Sequence, residues 1–83
     1  MTALNPKNFK IEQISGRKYS VTYWPDDEPV ITSYGTWYKG CAVVWWEFNS
    51  RRQADFWLIA IRHKTRDMKT VDEMLTALEN GEI

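Results

Sequence analysis

The sequence predicts an α+β fold: a small antiparallel sheet of three to four strands, followed by two C-terminal helices packed on one face. Three observations carry this. As far as Phe48 the chain alternates β-branched and aromatic residues with polar ones, punctuated by Gly and Pro. After Ser50 the apolar spacing changes to threes and fours. Two capping-box sequences, at Ser50 and Thr70, mark where helices begin. With 83 residues there is room for one domain and one core, and a chain of this length buries only roughly 60–65% of its unfolded surface.

Residues 1–8 read as a loose arm, because Asn5-Pro6 interrupts regular structure. Phe9 to Ile14 is a first strand with imperfect alternation. Ser15-Gly16-Arg17 is a turn signal, since Gly tolerates positive φ. Lys18 to Trp24 is a second strand, hairpinned to the first. Pro25-Asp26-Asp27-Glu28-Pro29 is a loop, since the prolines remove ladder donors and the acids repel one another. Val30 to Tyr34 is a third strand. Gly35 and Gly40 bracket a turn or irregular strand extension. Cys41 to Phe48 is the fourth and strongest strand.

In Ser50-Arg51-Arg52-Gln53 the serine caps the helix and the glutamine reaches back. Ala54, Trp57, Leu58 and Ile61 then form an apolar stripe, which Phe56, Ile59 and Ala60 widen almost around the helix. A helix apolar on most sides must be covered on more than one. The sheet covers one side in this reading, and the second helix is the candidate cover for the other. That second helix begins at Thr70-Val71-Asp72-Glu73, presents Val71, Met74, Leu75 and Leu78 on one face, and stops at Asn80-Gly81.

Aromatic residues number twelve, five of them tryptophan, and six fall between Tyr34 and Phe48. Each ring buries about 150–250 Å² when covered, which is more than one small core needs. Strand alternation divides them. Ala42, Val44, Trp46 and Phe48 form one wholly apolar set in the fourth strand, and Tyr19, Val21 and Tyr23 match them in the second. Phe56 and Trp57 join this core. Trp24 and Trp45 then point to the opposite sheet face, and Trp37-Tyr38 lies in the glycine-bracketed segment. These four are the candidate partner-binding residues, since apolar patches often mark contact sites.

The remaining chemistry is sparse. His63 is the lone histidine, at a helix end between Arg62 and Lys64, and Cys41 is the lone cysteine, beside an apolar strand. Neither has a partner at a spacing that would make it a base or a nucleophile. Asp26, Asp27 and Glu28 lack the spacing and glycine of a calcium loop. The four glycines are too scattered for a phosphate loop. No catalytic residue, metal ligand or cofactor is assigned. Eleven acids balance eleven bases, which speaks against non-specific nucleic-acid binding. Locally, residues 51–69 carry a net charge of +4 and residues 70–83 one of −4. Arg62, Lys64, Arg66 and Lys69 are therefore candidate phosphate contacts, against the simpler reading that helix dipoles favour bases at one end and acids at the other.

The sequence thus suggests a small non-enzymatic protein-binding domain using an aromatic surface. Such a domain suits an inhibitor, adaptor or accessory factor, of the kind phages or mobile elements encode. The expected partner is another protein or a second copy. The alternative is a nucleic-acid-binding module using sheet aromatics and the basic 62–69 segment. A single cysteine, no signal-like N-terminus and no apolar run of membrane length point to the cytoplasm.

Overall fold

The computed structural model describes residues 2–26 and 29–83. Five strands precede two helices: β1 (Phe9–Ser15), β2 (Lys18–Tyr23), β3 (Val30–Thr32), β4 (Gly35–Trp37), β5 (Val44–Phe48), α1 (Arg51–Thr65) and α2 (Val71–Glu79). β1, β2 and β5 form an antiparallel sheet in that order, and β3 and β4 form a separate hairpin. The small antiparallel sheet followed by two C-terminal helices is the architecture expected from the sequence.

The boundaries differ from expectation where glycine acts. Gly35 (φ 144°) opens β4, so the first half of the bracketed segment, Thr36-Trp37, is a strand. Gly40 (φ 93°) then turns the chain, and Cys41 N–H closes that turn on the Tyr38 carbonyl at 3.0 Å. Regular pairing therefore starts at Val44 rather than Cys41. Within the acidic loop, Asp27 and Glu28 lie outside the described residues, as does Met1.

The register of the main sheet sets its two faces. Phe9, Tyr23 and Val44 lie side by side, and so do Ile11, Val21 and Trp46, then Gln13, Tyr19 and Phe48. This is the face α1 covers, and the inward sets read from alternation are the ones observed. The imperfect alternation of the first strand has a cause. The register shifts between Gln13 and Ser15, leaving Ile14 as a bulge with its side chain exposed. The β1–β2 turn forms where expected, with no positive φ at Gly16.

Both helix starts are capped by the expected hydroxyls, though among the described residues the Gln53 side chain makes no return bond to Ser50. Ser50 Oγ accepts from Gln53 N–H, and Thr70 Oγ1 accepts from Glu73 N–H, each at 3.2 Å. Glu73 reaches back one residue further than a standard box, accepting from Lys69 N–H at 3.3 Å. Gly81 (φ 75°) ends α2 in a Schellman motif: Glu82 N–H bonds to Ala77 O and Gly81 N–H to Leu78 O.

α1 turns Ala54, Ile61 and Thr65 fully inward. α2 packs on β3 and its turn rather than over the outer face of α1. Ser33 N–H donates to Asp72 Oδ1 at 3.1 Å, and the Tyr34 hydroxyl meets Thr76 Oγ1 at 3.0 Å. Two expectations are corrected here. The second helix leaves the far side of α1 open, and Phe56, assigned to the core, is 75% exposed.

The N-terminal arm is also corrected, because it is tied down rather than loose. Thr2 O accepts from Val71 N–H at 2.9 Å and Leu4 N–H donates to Lys69 O at 3.0 Å, around an Ala3–Thr70 bridge. Leu4 is buried. Asn5 caps a short 3-10 turn (Pro6–Asn8), and its own N–H donates to the buried Tyr23 hydroxyl at 2.9 Å. Among the described residues no helix is long and apolar enough to cross a membrane.

Candidate functional site

The four aromatic candidates do not form one surface. Trp24 and Trp45 share the sheet face away from α1, on either side of Thr22: Trp45 is its cross-strand neighbour, and Trp24 Nε1–H donates to its Oγ1 at 2.6 Å. Trp24 is half-buried there. Trp45 is 52% exposed, its indole N–H bonded to Glu47 Oε1 at 3.1 Å. On this same face Ser20 and Thr22 are buried. Trp37 belongs to the other sheet and is half-buried against the core. Tyr38, just beyond it, is 62% exposed.

The basic candidates are dispersed in the same way. Arg62 is committed to the fold, donating from Nη2 to Phe9 O at 3.1 Å and from Nε to Pro6 O at 3.3 Å. Lys64 stands 5.9 Å above the Trp57 ring. Arg66 lies 3.8 Å from the Asp67 carboxylate. The Lys69 main chain is occupied by Leu4 and Glu73. His63 is exposed on α1, and Cys41 is exposed in the β4–β5 connection. Among the described residues no three His, Cys, Asp or Glu side chains are grouped to hold a metal ion.

The most distinctive surface lies instead on the outside of α1. Phe56 and Ile59 are 75% and 70% exposed, three residues apart and so on one helix face. Ala60 and His63 continue that face by one turn, and Arg52 precedes Phe56 by one turn. On the β5 side a shallow groove runs from Phe56 past Gln53 and Trp57 to Phe48. Its floor is aromatic: Trp57 meets Trp46 edge-on at 5.4 Å. Apolar surface is therefore continuous from the sheet edge, across the groove and over the helix crest.

Charge surrounds this surface unevenly. Arg51 pairs with Asp55 at 3.3 Å and lies 5.9 Å over the Tyr19 ring. The Arg52 side chain makes no hydrogen bond or ion pair among the described residues. With Asp55 occupied, the crest is bounded by cations: Arg52 at its start and Lys64 at its end. The sequence signal was the excessive width of the apolar stripe on this helix. Compared with protein families, with curated proteins and with solved structures, the chain matches none.

Proposed function

We propose that the protein is a non-enzymatic protein-binding domain that docks its partner on the outer face of α1. One observation carries the reading: Phe56 and Ile59 sit exposed on the same face, beside a half-buried aromatic groove. Covering a Phe or Ile side chain is worth about 1.5–3 kcal/mol, so leaving two in water is a standing incentive for association. Exposed side chains on a helix are presented without rearrangement of the fold. A domain of this kind acts by occupying another protein, as an inhibitor, adaptor or accessory factor does. The exposed thiol of Cys41 suits a reducing compartment such as the cytoplasm.

Trp24 and Trp45 supply a second apolar area, but hydrogen bonds hold both indoles to their own sheet. The α1 crest carries no such restraint on its apolar residues. The test is retention of native-cell proteins on the immobilised domain after nuclease treatment, compared with a Phe56→Asp/Ile59→Asp variant of unchanged circular dichroism. Loss of specific proteins in the variant supports the reading. Identical retention by both, or retention of nucleic acid alone before nuclease treatment, overturns it.

A further inference from the structure

We infer that the partner segment is an acidic amphipathic helix about three turns long, laid along α1 with its apolar stripe over Phe56, Ile59 and the Phe48–Trp57 groove. This rests on the docking reading above and adds the chemistry of the occupant. Arg52 to His63 spans about 16 Å of helix, which fixes the length of a matching segment. A crest beside a groove is the shape that the ridges of a second helix fill, through apolar residues at i, i+3, i+4 and i+7.

The charges select the sign of that helix. Asp55 is held by Arg51. Arg52 has no partner among the described residues, and Lys64 projects over Trp57 at the far end. Acidic residues flanking an apolar stripe would meet Arg52 at one end and Lys64 at the other. Basic flanks would meet like charge at both ends, and electrostatic matching of this kind sets partner choice more than it sets raw affinity.

A second copy of this chain matches the crest less well. An antiparallel pairing of two α1 helices with Phe56 against Ile59 would set each Arg52 against the other's His63, so that Arg52 gains no acidic partner. The acids of α2 offer no better match, because that helix turns Val71, Met74 and Leu75 into its own core.

The test uses two synthetic 14-residue peptides without aromatic residues. They share one leucine stripe at helical spacing and carry glutamate or lysine at the flanks. Each is titrated at low salt into the isotopically labelled full chain, following the backbone amides of Phe56, Ile59 and His63 and the indole N–H of Trp57. The glutamate peptide is expected to shift these signals and to bind at least about tenfold tighter than its lysine twin. The preference should reverse in an Arg52→Glu/Lys64→Glu variant, whose amide spectrum first shows an intact fold.

Equal binding of both peptides at α1 overturns the acidic-helix inference and leaves the docking surface standing. If neither peptide moves α1, the inference falls, and the Phe56→Asp/Ile59→Asp retention assay then decides separately whether the docking reading falls too. Concentration-dependent dimerisation that Phe56→Asp abolishes also overturns it, in favour of a second copy as the occupant.

Discussion

The guanidinium of Arg62 donates to the Phe9 carbonyl at 3.1 Å, and its Nε reaches the Pro6 carbonyl at 3.3 Å. The first cation of the basic 62–69 segment is thus a clamp. It holds the 3-10 turn and the start of β1 against α1. Hydrogen bonds from a charged donor contribute about 1.5–3 kcal/mol each, and partial exposure here favours the low end. Arg62→Ala should therefore cost about 1–2 kcal/mol in urea unfolding. It should also speed amide exchange at Leu4 and Asn5. Unchanged stability would return Arg62 to the pool of candidate phosphate contacts.

Exposure separates two apolar residues of the same helix. Phe56 is 75% exposed, whereas Ile61 is fully buried. Phe56→Ala should change stability by no more than about 0.5 kcal/mol, as is usual for surface substitutions. Ile61→Ala should cost about 2–5 kcal/mol, the range for a buried Ile emptied to Ala. Denaturation midpoints of the two variants measure the contrast directly. A large loss at Phe56 would mean that the crest of α1 is internal packing.

The hydroxyl of Tyr23 gives the fold a pH dependence of known sign. Burial pushes its pKa above the ordinary tyrosine value, the nearby Asp26 carboxylate adds to the rise, and the hydrogen bond from Asn5 N–H opposes it. A folded-state pKa above the unfolded one means the native chain holds this proton more tightly. The resulting stabilisation is fully present below the unfolded value, about 10, and is lost as pH rises through the higher folded value. Tyr23→Phe should cost about 1 kcal/mol near neutral pH, because Asn5 N–H loses its acceptor. The gap between variant and wild type should narrow above pH 10 in paired thermal melts. A gap that widens with pH would contradict this environment for Tyr23.

These residues show which parts of the fold were legible in the sequence. Tyr23, Val21, Trp46 and Phe48 were placed correctly because a period of two leaves a strand few choices. Ser50 and Thr70 were found because capping is local chemistry. The tying of Thr2 and Leu4 to Lys69 and Val71 was not legible, since a backbone pairing across the chain leaves no local signature. Phe56 was misplaced for a related reason. The width of an apolar stripe says that cover is needed, but not whether it comes from the same chain. α2 is engaged by Ser33 and Tyr34 of the β3–β4 turn, so the uncovered width of α1 became the candidate site.

The bond from Trp24 Nε1 to Thr22 Oγ1, 2.6 Å long, bears on the other apolar area. Thr22 is buried on the outer face of β2, the middle strand of the sheet, with Lys10 and Trp45 as its cross-strand neighbours. A ring fixed by a bond to a buried hydroxyl acts as a lid on its own sheet. Thr22→Val keeps the shape and removes the acceptor, so the variant should lose about 1 kcal/mol and the indole N–H of Trp24 should exchange faster. In a Thr22→Val background Trp24→Phe should then cost little more, giving a coupling of about 1 kcal/mol in a double-mutant cycle. Additive costs would instead show that the indole is not held by Thr22. Trp24 would then be free to serve as an anchor for a partner on the sheet side, and the α1 crest would no longer be the sole candidate surface.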